Sequence, residues 1–393
     1  MKKVILTILG AMLCVLSSAQ TYPVDSSSYD VDTLLYNGDA DKFINLVILS
    51  DGYMEGEFSQ FELDAIHVMN ALFSEEPYAT YQPYFNVFII KVPSNESGAS
   101  HPGLYGCTAE QPAIEVDTYF ESTFDLGYIH RLLAPSKPWK VTDVLAYNFP
   151  LYDEAVVLVN SPYYGGSGGA FATLSTHELS GELFIHELGH SFVGLQDEYW
   201  SGVPYEAANM TQESDPEVVR WKNWVSEDWH GVFEYFSGAG WYRPHHQCKM
   251  QVLSGSIFPE LVTYFCKVCK EATIEKIHSL CTPIQDSQPL NEDISSPSFP
   301  LEFQVELIQP LSQTLHSNWS LNGVTIESNS PSVSIQQADL SQGSNVLTFD
   351  VQDVTDMLRV DNHEEIHGYE ISWTIENGEV EILCQNVWGS ITN

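Results

Sequence analysis

The chain has 393 residues, more than one hydrophobic core usually organises, so two domains are expected. Its 44% hydrophobic content, with 9 Trp, 20 Tyr and 19 Phe, excludes a mostly disordered protein. Only 15 Lys+Arg oppose 53 Asp+Glu, and the resulting charge of −38 excludes nucleic acid and anionic membrane surfaces as partners.

Lys2 and Lys3 precede an apolar run from Val4 to Leu16, which ends in Ser17-Ser18-Ala19. This pattern predicts a signal peptide over residues 1–19 and hence an exported protein, whether secreted, periplasmic or at the cell surface. The run is too short to span a bilayer and no later stretch is apolar enough, so no transmembrane segment is expected. Cys14 lacks a lipidation context, because Met12 and Leu13 are bulky. Residues 20–40 are polar and read as an extended lead-in, long enough to cover a cleft.

Phe43–Leu49, Phe85–Val92 and Ala155–Val159 are apolar runs expected to form buried strands. Between the first two, Phe61, Ile66, Met69 and Leu72 recur at helical intervals over 57–73. Strands alternating with helices predict an α/β or α+β domain over residues 20–282. Residues 283–300 are polar and proline-rich and read as a linker. From residue 301 to 393 short alternating runs (FQVELI, VTIES, SVSI, NVLTFDV, YEISWTI, EVEIL) and the turn dipeptides Asn322-Gly323 and Asn377-Gly378 predict an all-β, immunoglobulin-like sandwich.

Chemistry concentrates in Glu182–Tyr199. His186 and His190 are four residues apart, so on a helix they share a face and can hold one metal ion, with Glu187 in reach of a water there. Phe184, Leu188 and Phe192 support that helix independently. Gly194 can end it and turn the chain back, since glycine tolerates positive φ. Asp197, three residues further on, is the expected third ligand and Glu198 its rival. Metzincins use a related glycine turn before their third ligand. A single Zn2+ is the expected cofactor, and Glu187 the expected general base. Tyr199, Tyr264, His245 and His246 are candidate donors to an oxyanion.

His363-Glu364-Glu365-Ile366-His367 repeats the five-residue pattern, but a strand is expected directly after it. Without a helix its histidines would not share a face. The cluster Tyr164–Gly169 lacks the Lys-Ser/Thr of a phosphate loop. It leads either into an edge strand over 170–175 that pairs with extended substrate, or into a plain surface loop. Beyond the signal segment the cysteines are Cys107, Cys248, Cys266, Cys269, Cys281 and Cys384. They are expected as disulfides or buried thiols. Cys266-Lys-Val-Cys269 supplies only half of a zinc signature, with no second pair evident.

HELGHSFVGLQDEY resembles the signature of the bacterial IgA peptidase family of zinc metallopeptidases. Asn45–Tyr53, Cys248-Lys-Met250 and Phe265–Cys269 agree with it. The resemblance covers roughly residues 30–280. It implies a metzincin-like metallopeptidase domain, a methionine turn at Met250, and an extracellular endopeptidase acting on protein or peptide substrates, a host glycoprotein among them. Two other functional classes compete with it: a zinc amidohydrolase acting on a non-peptide amide, and a non-catalytic secreted module that binds a glycan or host protein.

Overall fold

The computed structural model describes residues 26–104, 111–255, 260–295 and 297–378. The expected signal peptide, Cys107, Cys384 and the strand expected over EVEIL lie outside them. No described helix is long and apolar enough to cross a membrane.

The N-terminal part is built on β1 (Asp30–Leu35), β2 (Ile44–Asp51), β3 (Phe85–Lys91), β4 (Glu154–Val159), β5 (Gly166–Ser167) and β6 (Ala172–Ser175). Their order across the sheet is β1-β3-β2-β4-β6-β5. The four inner strands run parallel, and the two edges are antiparallel. The continuous apolar runs of β2 and β4 follow from this, since parallel strands are covered on both faces. Leu46, Ile48, Val87, Ile89, Val156 and Leu158 face a core shared with α1 (Phe58–Leu72), α3 (Ser180–Leu188) and α4 (Lys267–Leu280). Val47, Leu49, Phe88, Ile90 and Val157 face the opposite way, onto α2 (Pro138–Asn148). The helix expected over 57–73 is present, but its buried stripe is Phe61, Ala65, Val68 and Leu72.

The lead-in contains a strand, β1, on the edge of the sheet farthest from β5. Its backbone satisfies the outer edge of β3, which would otherwise expose unpaired groups.

The C-terminal part holds two antiparallel sheets. One joins β7 (Ile284–Gln288), β8 (Leu301–Leu307) and β11 (Ser332–Ile335). The other joins β10 (Val324–Ser328), β9 (Leu315–Leu321), β12 (Gly343–Asp353) and β13 (Gly368–Asn377). Phe303, Trp319, Phe349 and Trp373 lie in the core shared by both. Asn322 and Gly323 both have positive φ in the β9–β10 turn, as that dipeptide predicts. The expected linker 283–300 differs from the structure at its start, because β7 pairs there with β8.

The two parts meet through buried polar contacts. Tyr81 donates its hydroxyl to Asp353 Oδ2 at 2.5 Å, and His278 Nε2 lies 3.1 Å from the same oxygen. Tyr84 donates to the Ile308 carbonyl at 2.9 Å. The second His-x-x-x-His pattern lies close by and corrects the expectation of a non-helical segment: His363–Ile366 forms one helical turn, and His367 is buried. His363 Nε2 donates to the Asp353 carbonyl at 2.8 Å, which takes up that nitrogen.

Burial works against the Asp353 carboxylate, but His278 and Tyr81 outweigh it and hold its pKa below the usual aspartate range. Asp353→Ala would leave a buried hydroxyl and imidazole without their acceptor, at a cost of about 2–4 kcal/mol. The depressed pKa means this stability is present above the ordinary aspartate range and lost as pH falls through the folded value. Urea denaturation of both proteins should therefore show a gap near neutral pH that narrows in acid.

Candidate metal centre

Helix α3 follows β6 and is buried along almost its whole length, with Leu183, Phe184, Leu188 and then Phe192 in the main core. Its last turns widen into a π-helical segment, Gly189–Val193. His186 lies on the α-helical part and His190 on the π-helical part, with ring centroids 4.9 Å apart and planes at 89°. Gly194 ends the helix at φ 78° and its amide closes on the His190 carbonyl at 3.1 Å. The chain then doubles back, so that the Leu195 carbonyl accepts from His190 Nδ1 at 2.7 Å and Asp197 comes to face both rings.

Asp197 Oδ1 is 3.2 Å from His186 Nε2 and 3.2 Å from His190 Nε2. His186 Nδ1 donates to the Lys249 carbonyl at 3.0 Å. Since a carbonyl can only accept, both Nδ1 atoms carry a proton, so in the neutral imidazoles both Nε2 atoms present lone pairs. Three lone-pair donors thus converge, and Asp197 Oδ1 is buried without a hydrogen-bond partner. The separations match the tetrahedral edges of a metal with ligands at about 2.0–2.1 Å, which are about 3.3–3.4 Å. Burial works against a charged His190, yet the facing Asp197 carboxylate outweighs it and pushes the imidazole up to about 9. Asp197 is likewise desolvated, but its histidine neighbours hold it well below the usual range. The cluster calls for a positive charge between its members, and the donor set fits a metal ion.

Glu187 is buried beside the trio, and burial pushes its carboxyl pKa up. Met250 is fully inaccessible and lies under Gly189, where an added Cβ would meet its sulfur at 2.8 Å. The Met250 carbonyl accepts from the Glu198 amide at 2.8 Å. Glu198 itself turns away from the histidines into a separate buried cluster, so of the two acidic neighbours Asp197 is the one brought to them.

Glu187 and His186 open onto a cleft of about 410 Å³ whose walls include Arg131, Tyr164, His177, Leu183, Tyr199 and Leu253. Tyr199 stacks on His186 with centroids 6.4 Å apart, and its pKa is raised by burial. Tyr264 is exposed, while His246 packs on Phe233 in a different surface depression and His245 on His230. Of the four candidate oxyanion donors, only Tyr199 lines this cleft. Arg131 carried no motif, and its only signal was being one of 15 basic residues in an acidic chain.

The glycine cluster differs from expectation. The strand over 172–175 is internal, flanked by β4 and β5, and β5 is the sheet edge. Gly166 is already engaged, its amide donating to the Arg131 carbonyl at 3.1 Å. Gly168 approaches the metal trio closely: an added Cβ would sit 2.7 Å from His190 Cβ and 3.1 Å from Glu187 Oε2. Glycine is required there by proximity.

Two imidazoles and a carboxylate beside a buried glutamate in a cleft form the arrangement of a metallohydrolase. The model of the family IgA Peptidase M64 matches residues 33–231, just over half of the chain, and the chain belongs to that family. It is therefore a peptidase, and a metal ion is its expected cofactor. The match stops before Met250. No curated protein matches the sequence.

Gly194→Ala places an L-residue in the left-handed region, where nothing else crowds it. The cost should be roughly 1–2 kcal/mol. Because the strain falls on the turn that delivers Asp197, thermal melting should show a larger midpoint loss with metal present than after chelation.

Proposed function

We propose that this protein is an exported zinc endopeptidase in which His186, His190 and Asp197 hold one catalytic ion and Glu187 is the general base. The observation that carries the reading is the convergence of two Nε2 lone pairs and an orphaned carboxylate oxygen, with both Nδ1 atoms tied to backbone carbonyls. A nitrogen- and oxygen-rich set with three protein ligands suits catalytic zinc. When bound, zinc supplies Lewis acidity toward a carbonyl oxygen and lowers the pKa of water. Glu187, buried and raised in pKa, accepts the proton of the attacking water and returns it to the departing amine. The Tyr199 hydroxyl, kept protonated by burial, donates to the oxygen that gains charge on the scissile carbonyl. Gly168 lets its loop pack directly against His190 and Glu187, where a side chain would not fit.

Met250 beneath Gly189 supports the metzincin-like reading of the domain, with Met250 as its methionine turn. We assign residues 20–282 to that domain and 301–393 to an immunoglobulin-like sandwich. Export rests on the N-terminal signal sequence over residues 1–19. The substrate class is protein or peptide. The family name speaks of IgA.

Glu187→Gln should keep the metal content of the wild type and lower peptide turnover about 10²–10⁴-fold. Elemental mass spectrometry beside a peptide-library assay tests this, and undiminished turnover would overturn the assignment. His190→Ala and Asp197→Ala should each bind one zinc fewer than wild type. Tyr199→Phe should reduce kcat about 10²–10³-fold with KM little changed.

A further inference from the structure

On the side of the Asp197 loop away from the histidines, four further donors converge: Glu198, Cys248, Cys266 and Cys269. Each is buried, and their ligand atoms all lie within 4.8 Å of one another. Cys269 Sγ is 3.6 Å from Cys248 Sγ, 3.6 Å from Cys266 Sγ and 3.7 Å from Glu198 Oε1. These are not disulfides, whose sulfurs sit about 2.05 Å apart. They do match a tetrahedral zinc site: Zn–S of about 2.3 Å gives sulfur–sulfur edges near 3.8 Å, and a carboxylate oxygen at about 2.0 Å gives mixed edges near 3.5 Å.

A second observation points the same way. Glu198 is fully inaccessible and its Oε2 has no hydrogen-bond partner, although Asn209 satisfies Oε1 at 3.1 Å. A buried carboxyl with one orphaned oxygen, set against three thiols, is a costly arrangement unless a cation completes it. The Cys266 amide donates to Cys248 Sγ at 3.4 Å, as backbone amides do for metal-bound thiolates. The buried Arg243 guanidinium lies close enough to Glu198 and Cys248 to interact with both electrostatically.

We propose that Glu198, Cys248, Cys266 and Cys269 form a structural zinc site, separate from the catalytic trio. Three thiolates select zinc over calcium or magnesium, and four protein ligands close the coordination shell, the mark of a structural rather than catalytic ion. On binding, each thiol gives its proton to solvent and the carboxylate binds as the anion. Arg243 offsets part of the excess negative charge. No oxidation is involved, and coordination protects the thiols from oxidation in an exported protein.

The site ties together the segments that build the catalytic centre. Glu198 adjoins Asp197. Cys248 lies two residues before Met250, and the Lys249 carbonyl between them holds His186. Helix α4 contributes Cys269, with Cys266 at its N-cap.

The full exported chain, purified without chelators, should contain two zinc ions by elemental mass spectrometry, and His190→Ala one. After cobalt replacement, wild type and His190→Ala should both show sulfur-to-cobalt charge-transfer absorption, and Cys266→Ser and Cys269→Ser should lose it. Histidine and aspartate ligands cannot give this band, so the readout is independent of the catalytic reading. If the cysteine variants fail to fold, the band in His190→Ala decides alone. A single zinc that disappears in His190→Ala, no charge-transfer band, or a disulfide joining two of these cysteines in a non-reduced digest would each overturn the proposal. Two zincs in wild type but no loss in His190→Ala would sink the catalytic assignment and leave this site standing.

Discussion

The reversal of the chain at Gly194 is the constraint on which the candidate metal centre depends. A helix can aim two imidazoles in one direction, but if it continued, residue 197 would sit roughly 10 Å beyond His190 along the axis. Positive φ at Gly194 breaks that geometry within one residue. The same turn also delivers the Leu195 carbonyl to His190 Nδ1, fixing the tautomer that leaves Nε2 free. One backbone feature thus both brings Asp197 to the histidines and orients His190.

The framework around the centre is held by buried polar fasteners rather than by packing alone. Asp51, at the end of β2, accepts from the amides of Phe120 and Ser122 at 3.0 and 3.1 Å and from Thr118 Oγ1 at 3.1 Å. Burial pushes its carboxyl pKa up, so these bonds offset a real desolvation cost. Asn45, at the start of the same strand, ties three carbonyls through its side-chain amide, those of Ala40, Phe43 and Leu151. Neither residue touches the metal trio. Asp51 anchors the segment that runs on to Arg131 and the cleft wall, which gives the Asn45–Tyr53 stretch a structural role at a distance from the chemistry.

Much of this was legible in the sequence because the signals were local. The inner strands announced themselves as unbroken apolar runs, and the helix carrying His186 and His190 showed its period in Phe184, Leu188 and Phe192. The errors also have local causes. In α1, Ile66 looked like core, but the stripe runs through Ala65 and Val68, and a small alanine is easily passed over. β9 gives a weak sequence signal because polar Ser317 takes an inward position between Leu315 and Trp319, where it is buried. β1 and β7 are polar edge strands that owe their conformation to a neighbour. The helical turn at His363 is fixed by contact with Asp353, which no short window contains. Arg131 and Gly168 reach the cleft only through tertiary folding.

The acidic pair Asp197-Glu198 shows why spacing alone could not separate ligand from neighbour. Both carboxylates adjoin donors able to hold a metal, Glu198 fully buried and Asp197 mostly so, yet the two side chains join different clusters. Asp197 faces the histidines and Glu198 the cysteines. The Glu198 amide bonded to the Met250 carbonyl, and the Lys249 carbonyl bonded to His186, tie the two clusters to the same pair of backbone segments. Lys249 adds a buried cation that reaches Glu75 and Glu182, the latter in the first turn of α3. Displacing segment 248–250 would therefore move a helix end, an imidazole and a carboxylate together. That coupling explains how a side-chain cluster built partly on a loop is held in one arrangement.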